Sequence, residues 1–93
     1  YIKASGSYAE LVTKEGNSIV ASKNLKYFEN ILNHFPYFKR VHRSYLVNMK
    51  YIKRFDKKDN GCIVMANGSE IVVSRERKDE FLEALEKYNS PNS

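Results

Sequence analysis

All four glycines of the chain, Gly6, Gly16, Gly61 and Gly68, fall at turn signals between short segments. Ser5-Gly6-Ser7, Glu15-Gly16-Asn17, Lys58-Asp59-Asn60-Gly61 and Asn67-Gly68 read as hairpin turns, because glycine supplies the positive φ of tight reversals. Asn67-Gly68 is the strongest of these signals, and none of the four glycines opens a phosphate-cradling loop ahead of a helix. Between the turns lie strand-like segments: YIKAS at the start, then residues 8–14, 18–21, 39–41, 45–48, 51–57, 62–66 and 70–73. Two windows have helical spacing instead. In residues 22–35 the stripe Leu25, Phe28, Ile31, Leu32 and Phe35 opposes Lys23, Lys26, Asn30 and Asn33, with Ser22 as N-cap and Pro36 as the stop. His34 then falls near the helix C-terminus, where the dipole favours a cation. In residues 75–87, Phe81, Leu82, Leu85 and Tyr88 form the expected buried side, and Asp79, Glu83 and Glu86 a solvated one. Roughly seven short strands and two short helices make a mainly β, antiparallel domain over residues 1–88. Residues 89–93 are expected to fray into a disordered tail.

Ninety-three residues suffice for one core, near the lower limit of self-sufficiency. No apolar run approaches the roughly 18 residues of a membrane-spanning helix, so no membrane contact by this piece is expected. The single cysteine, Cys62, cannot form an internal disulfide and lies in the apolar run CIVMA. It reads as a buried, reduced thiol in a cytoplasmic protein. His34 and His42 stand on opposite sides of Pro36 without a nearby acid or cysteine, and one cysteine gives no zinc spacing. Neither an enzyme nor a metal or cofactor site is expected. The chain opens abruptly in strand-like sequence without a Met, which reads as a piece of a longer protein with a further domain or membrane segment upstream.

Six of the sixteen residues 39–54, KRVHRSYLVNMKYIKR, are basic: Lys39, Arg40, Arg43, Lys50, Lys53 and Arg54. No acid occurs from Asn30 to Phe55, although the chain holds eleven. Net charge is only +5, so its distribution matters more than its sum. The interleaved Val41, Tyr45, Leu46, Val47, Tyr51 and Ile52 belong in a packed sheet. A stiff scaffold presenting cations outward fits nucleic acid; a solvated basic face beside core strands fits the composition equally. On the first reading, Arg43 at a turn and Arg75 at a strand end can reach a guanine edge bidentately, each worth about 1–3 kcal/mol of discrimination. Lys39, Arg40, Lys50, Lys53 and Arg54 would meet phosphates, setting affinity without reading sequence. Six neutralised phosphates give a log–log salt slope of about −5.

Residues 38–52, above all RVHRSYLVN at 40–48, resemble the signature of the LytTR DNA-binding domain, the output module of LytR/AlgR-type bacterial response regulators. YIKASGSYAEL resembles that family's first hairpin, the helix at 22–35 sits where the family has one, and NGSEIVVSRERKDEFLEAL resembles its close. The resemblance spans residues 1–87. It implies small antiparallel sheets stacked in an elongated body with short helices alongside, entering successive major grooves through loops rather than a helix. It implies sequence-specific binding of double-stranded DNA at promoter direct repeats, one domain per half-site, with bending of the duplex. It also implies an upstream regulatory domain, commonly the receiver of a two-component system, controlling the pairing of two copies as a homodimer on DNA.

The resemblance places the base contacts at Tyr8, Arg43 and Arg75. Tyr8 reads as a base or phosphate contact, or as a sheet residue. Arg43 reads as a guanine reader, or as a phosphate contact or solvated turn, and Arg75 as a base contact or a helix-capping residue. His42 is a hydrogen-bonded structural residue beside the DNA face, within reach of a phosphate. Arg40 clamps a phosphate or pairs with an acid from the last helix. Ser44 and Asn48 satisfy loop backbone groups, while Tyr45, Leu46 and Val47 pack. Two rival readings stand beside this one. A single-stranded nucleic-acid module would stack bases on tyrosines exposed along one sheet face; a protein-interaction module would bring the basic stretch to an acidic partner.

Overall fold

Neighbouring residues of a strand face opposite ways, and this alternation sets the layering of the molecule. The computed structural model describes residues 1–57 and 61–89; the turn expected at 58–60 and the tail at 90–93 lie outside them. Among the described residues the strands are β1 (Ile2–Ser5), β2 (Tyr8–Val12), β3 (Ser18–Ala21), β4 (Phe38–His42), β5 (Tyr45–Asn48), β6 (Ile52–Asp56), β7 (Cys62–Met65) and β8 (Glu70–Val72). The helices are α1 (Leu25–Leu32) and α2 (Lys78–Asn89). Strands pair antiparallel in a five-stranded sheet, β3-β2-β1-β5-β4, and a three-stranded sheet, β6-β7-β8. In β5, Leu46 packs with Ile2, Ala9 and Leu25, backed by Phe28 and Leu32 of α1. Its neighbour Val47 packs on the other side with Val41, Ile63, Ile71, Val73 and Phe81. The larger sheet is therefore the middle layer, with α1 on one face and the smaller sheet plus α2 on the other. The body measures 36 × 27 × 27 Å, moderately elongated as expected.

Several local expectations are corrected. Asn24, not Ser22, caps α1: its Oδ1 accepts the Tyr27 N–H at 2.9 Å, one residue before the buried Leu25. The helix stops at Leu32, so His34 and Phe35 lie beyond it. Pro36 disfavours helical backbone in the residue before it, and the Phe35 ring turns to Tyr37 and Phe38, with centroids 5.5 and 6.3 Å away. Tyr51, expected to open the strand at 51–57, instead closes a 3-10 turn, Met49–Tyr51, whose Lys50 N–H donates to Asn48 Oδ1 at 2.9 Å. The last helix is divided into a 3-10 turn, Arg75–Arg77, and α2, which continues to Asn89, the first residue of the expected tail. On α2, Phe81 is buried and Leu82 and Leu85 half-buried, but Tyr88 is exposed. Cys62 is half-buried rather than buried. Partial burial, the Glu70 carboxylate 3.8 Å from its Sγ and the charge of Asp56 push the thiol above its ordinary pKa.

Gly61 shows why one turn needs glycine. Its φ is +106°, and a Cβ there would meet Phe55 Cζ at 2.6 Å, inside the ring that packs on Phe81. Gly61→Ala is expected to destabilise the domain by about 1–3 kcal/mol, read as a lowered urea midpoint at unchanged m-value.

Candidate nucleic-acid interface

Strand register brings two turns to one end of the middle sheet. β1 and β5 pair with Ile2 opposite Leu46 and Lys3 opposite Tyr45. One step further, the Ala4 N–H donates to the Ser44 carbonyl at 2.8 Å. The β1–β2 turn (Gly6, Ser7) and the β4–β5 turn (Arg43, Ser44) thus emerge side by side. Tyr8 opens β2 opposite Ser5 and is 53% exposed, and Arg43 is exposed in the second turn. A third segment joins them: the Ser74 N–H donates to the Val41 carbonyl at 2.8 Å, and the exposed Arg75 follows directly. A bulge permits this contact. Register slips between Arg40 and His42, and the extra residue, Val41, buries its side chain while its carbonyl meets Ser74. Tyr8, Arg43 and Arg75, separated widely in sequence, therefore share one end of the molecule.

The cations of residues 39–54 are not gathered there in the same way. Arg40 is occupied within the protein. Its Nε donates to the His42 carbonyl at 2.9 Å, its Nη2 to the Arg43 carbonyl at 2.5 Å and its Nη1 to Glu29 Oε1 at 2.7 Å. The acid expected from the last helix comes from α1 instead. Lys39 is the residue that meets the last helix, its Nζ donating to Glu80 Oε1 at 2.7 Å. Strand alternation explains the exchange: adjacent residues of β4 cannot both face one helix. Lys50 lies at the opposite end of the sheet, beyond Asn48, with Nζ 4.1 Å from the Tyr37 ring centroid. Lys53 and Arg54 project exposed from the edge strand β6, with no ion pair among the described residues. Glu29 and Glu80 were not singled out as members of this region by sequence, and only the alternation of Lys39 and Arg40 hinted that two different acids were needed.

His42 is hydrogen-bonded within its own turn. Its Nδ1 accepts the Ser44 N–H at 3.1 Å and its ring lies against Tyr45 at 5.8 Å, so a neutral imidazole carries its proton on Nε2. Glu80, hydrogen-bonded to and charge-paired with Lys39, is held below the ordinary carboxylate value of 4.5. A carboxylate with a lowered folded-state pKa contributes stability that is present above 4.5 and lost as pH falls through the folded value. A carboxyl NMR titration is expected to give Glu80 a midpoint below 4.5, returning to ordinary in Lys39→Ala.

The exposed tyrosines do not form a platform: Tyr8, Tyr27, Tyr51 and Tyr88 stand on β2, α1, the 3-10 turn and α2. A cavity of about 300 Å³, lined among others by Tyr1, Leu11, Ile19, Phe28 and Tyr51, lies away from the Arg43 end and is mainly apolar. Among the described residues no three His, Cys, Asp or Glu side chains cluster as metal ligands, and no helix is long and apolar enough to cross a membrane. A family model described as the LytTr DNA-binding domain matches residues 1–86. No curated protein and no solved structure matches the chain.

Proposed function

Because the chain belongs to the LytTR family of DNA-binding domains found in transcriptional regulators, we propose that it reads promoter DNA in a sequence-specific manner through Arg43, Arg75 and Tyr8. The observation that carries this reading is the convergence of their three segments, tied by the Ala4–Ser44 and Ser74–Val41 backbone hydrogen bonds. Arginine held at a stiff turn suits bidentate contact with a guanine edge in the major groove. The Tyr8 hydroxyl, exposed beside them, reaches a base or a phosphate. Lys53 and Arg54 on β6, with Lys50 and His42 at the two ends, meet the phosphate backbone. Lys39 and Arg40, already paired with carboxylates, contribute little to capture. With Lys50, Lys53 and Arg54 neutralising about three phosphates instead of six, the log–log salt slope falls to about −3.

In the longer protein an upstream domain, a receiver of a two-component system in the cytoplasm of a bacterium, would bring two copies onto adjacent direct repeats. The scattered tyrosines favour duplex DNA over a single strand as ligand. Selection of bound duplexes from a random pool, followed by a salt titration of the winner, tests the reading. A recovered motif bound well above scrambled duplex, with the shallower slope, is the expected result. No enriched sequence, or competition of the duplex by single strands of the same sequence, would overturn it.

A further inference from the structure

One guanidinium makes three anchoring contacts at the base of the Arg43 turn, and they do not resemble those of a side chain waiting for phosphate. Nε and Nη2 of Arg40 hold two successive carbonyls, those of His42 and Arg43, at the entry and the first residue of the turn. Nη1 is held by Glu29 at 2.7 Å. The Arg40 side chain is 14% exposed and that of Glu29 35%, so the pair is screened less by salt than Lys39–Glu80, at 26% and 63%. The fork spans α1, β4 and the turn at once.

We infer that Arg40, anchored by Glu29, is a positioning residue that presets the backbone of the Arg43 turn for base reading. The inference rests on the proposal that Arg43 reads a base. The physical gain is preorganisation: a turn ordered before DNA arrives has less conformational freedom to lose on binding. Glu29, on a helix distant in sequence from the turn, thereby becomes a determinant of specificity. Only arginine fits the role, because its planar fork offers five donors in fixed directions, whereas lysine is a point charge on a flexible stem.

Arg40→Lys keeps the charge and removes the fork, which separates this role from a phosphate contact. Wild type, Arg43→Ala, Arg40→Lys and Glu29→Ala are titrated with the selected duplex and a scrambled one across a salt series, with amide hydrogen exchange on each free protein. Arg40→Lys is expected to reduce the selected-to-scrambled affinity ratio about fivefold or more, near the lower bound for one lost base contact. Its salt slope stays unchanged, and exchange accelerates at Arg43 and Ser44 while Ile63 and Val73 remain protected. Glu29→Ala removes a negative charge, so scrambled duplex binds more tightly even as the ratio falls; this variant carries the test if Arg40→Lys does not fold. A wild-type ratio in both brace variants alongside a reduced one in Arg43→Ala would overturn the brace and leave base reading intact. Equal loss on both duplexes with global loss of protection would reduce Arg40 to a purely structural residue and also overturn it. A wild-type ratio in Arg43→Ala would overturn the base-reading proposal, and the brace with it.

Discussion

Arg43→Ala is expected to lose about 1–3 kcal/mol of discrimination at one base pair of the selected site while still binding scrambled duplex with nearly the wild-type salt slope. Arg75→Ala is expected to do the same at a different base pair. Both side chains are exposed, so truncation leaves no cavity and stability should change little. Their backbones are held by different contacts, Arg43 within the β4–β5 turn and Arg75 through the neighbouring Ser74–Val41 hydrogen bond. If the two read separate base pairs without a shared partner, the losses add in the double variant. The measurement is a titration of each variant against the selected duplex and its single-base changes. Should Arg43→Ala bind every duplex as the wild type does, that residue reads no base, and the end formed by Tyr8, Arg43 and Arg75 would need another explanation.

Phe81→Ala is expected to have the largest effect on stability, about 3–5 kcal/mol. Its ring is fully buried, lies 5.5 Å from that of Phe55, and fills the space between the smaller sheet and the strands carrying Val41 and Val47. A domain of this size has only about 5–15 kcal/mol in total, so the variant stands near the edge of folding at 25 °C. Its loss would also loosen the seating of α2 and so the Glu80–Lys39 pair one residue away. Urea unfolding followed by far-UV circular dichroism gives the value. A loss below about 1 kcal/mol would mean that the smaller sheet and α2 do not share one core with the middle sheet.

Much of the fold can be read without coordinates. The hairpin turns at Gly6, Gly16 and Gly68, the helix around Leu25 and Phe28, and the antiparallel β class follow from turn chemistry and periodicity. Element ends were less readable. Ser22 is as good a cap by composition as Asn24, and the choice falls to whichever precedes the first residue that tertiary packing buries, Leu25. Tyr88 fits the periodic stripe of α2, yet by that point the helix has passed the end of the surface it packs on and the ring is exposed. The basic run 39–54 reads as one surface in the sequence, but the structure divides it. A strand separates Lys39 from Arg40 by face, and the length of β5 separates Arg43 from Lys50 by distance.

By itself the sequence determined the class of fold, because turn dihedrals and side-chain period act over a few neighbouring residues; the candidate base readers came from residue type and from the family resemblance. The tertiary structure alone decided which cations remain free. Arg40 finds Glu29 eleven residues away and Lys39 finds Glu80 forty-one residues away. A charge is neutralised by whatever folding places within a few ångströms of it, and that distance is set by the stacking of α1 and α2 around β4 rather than by any local pattern.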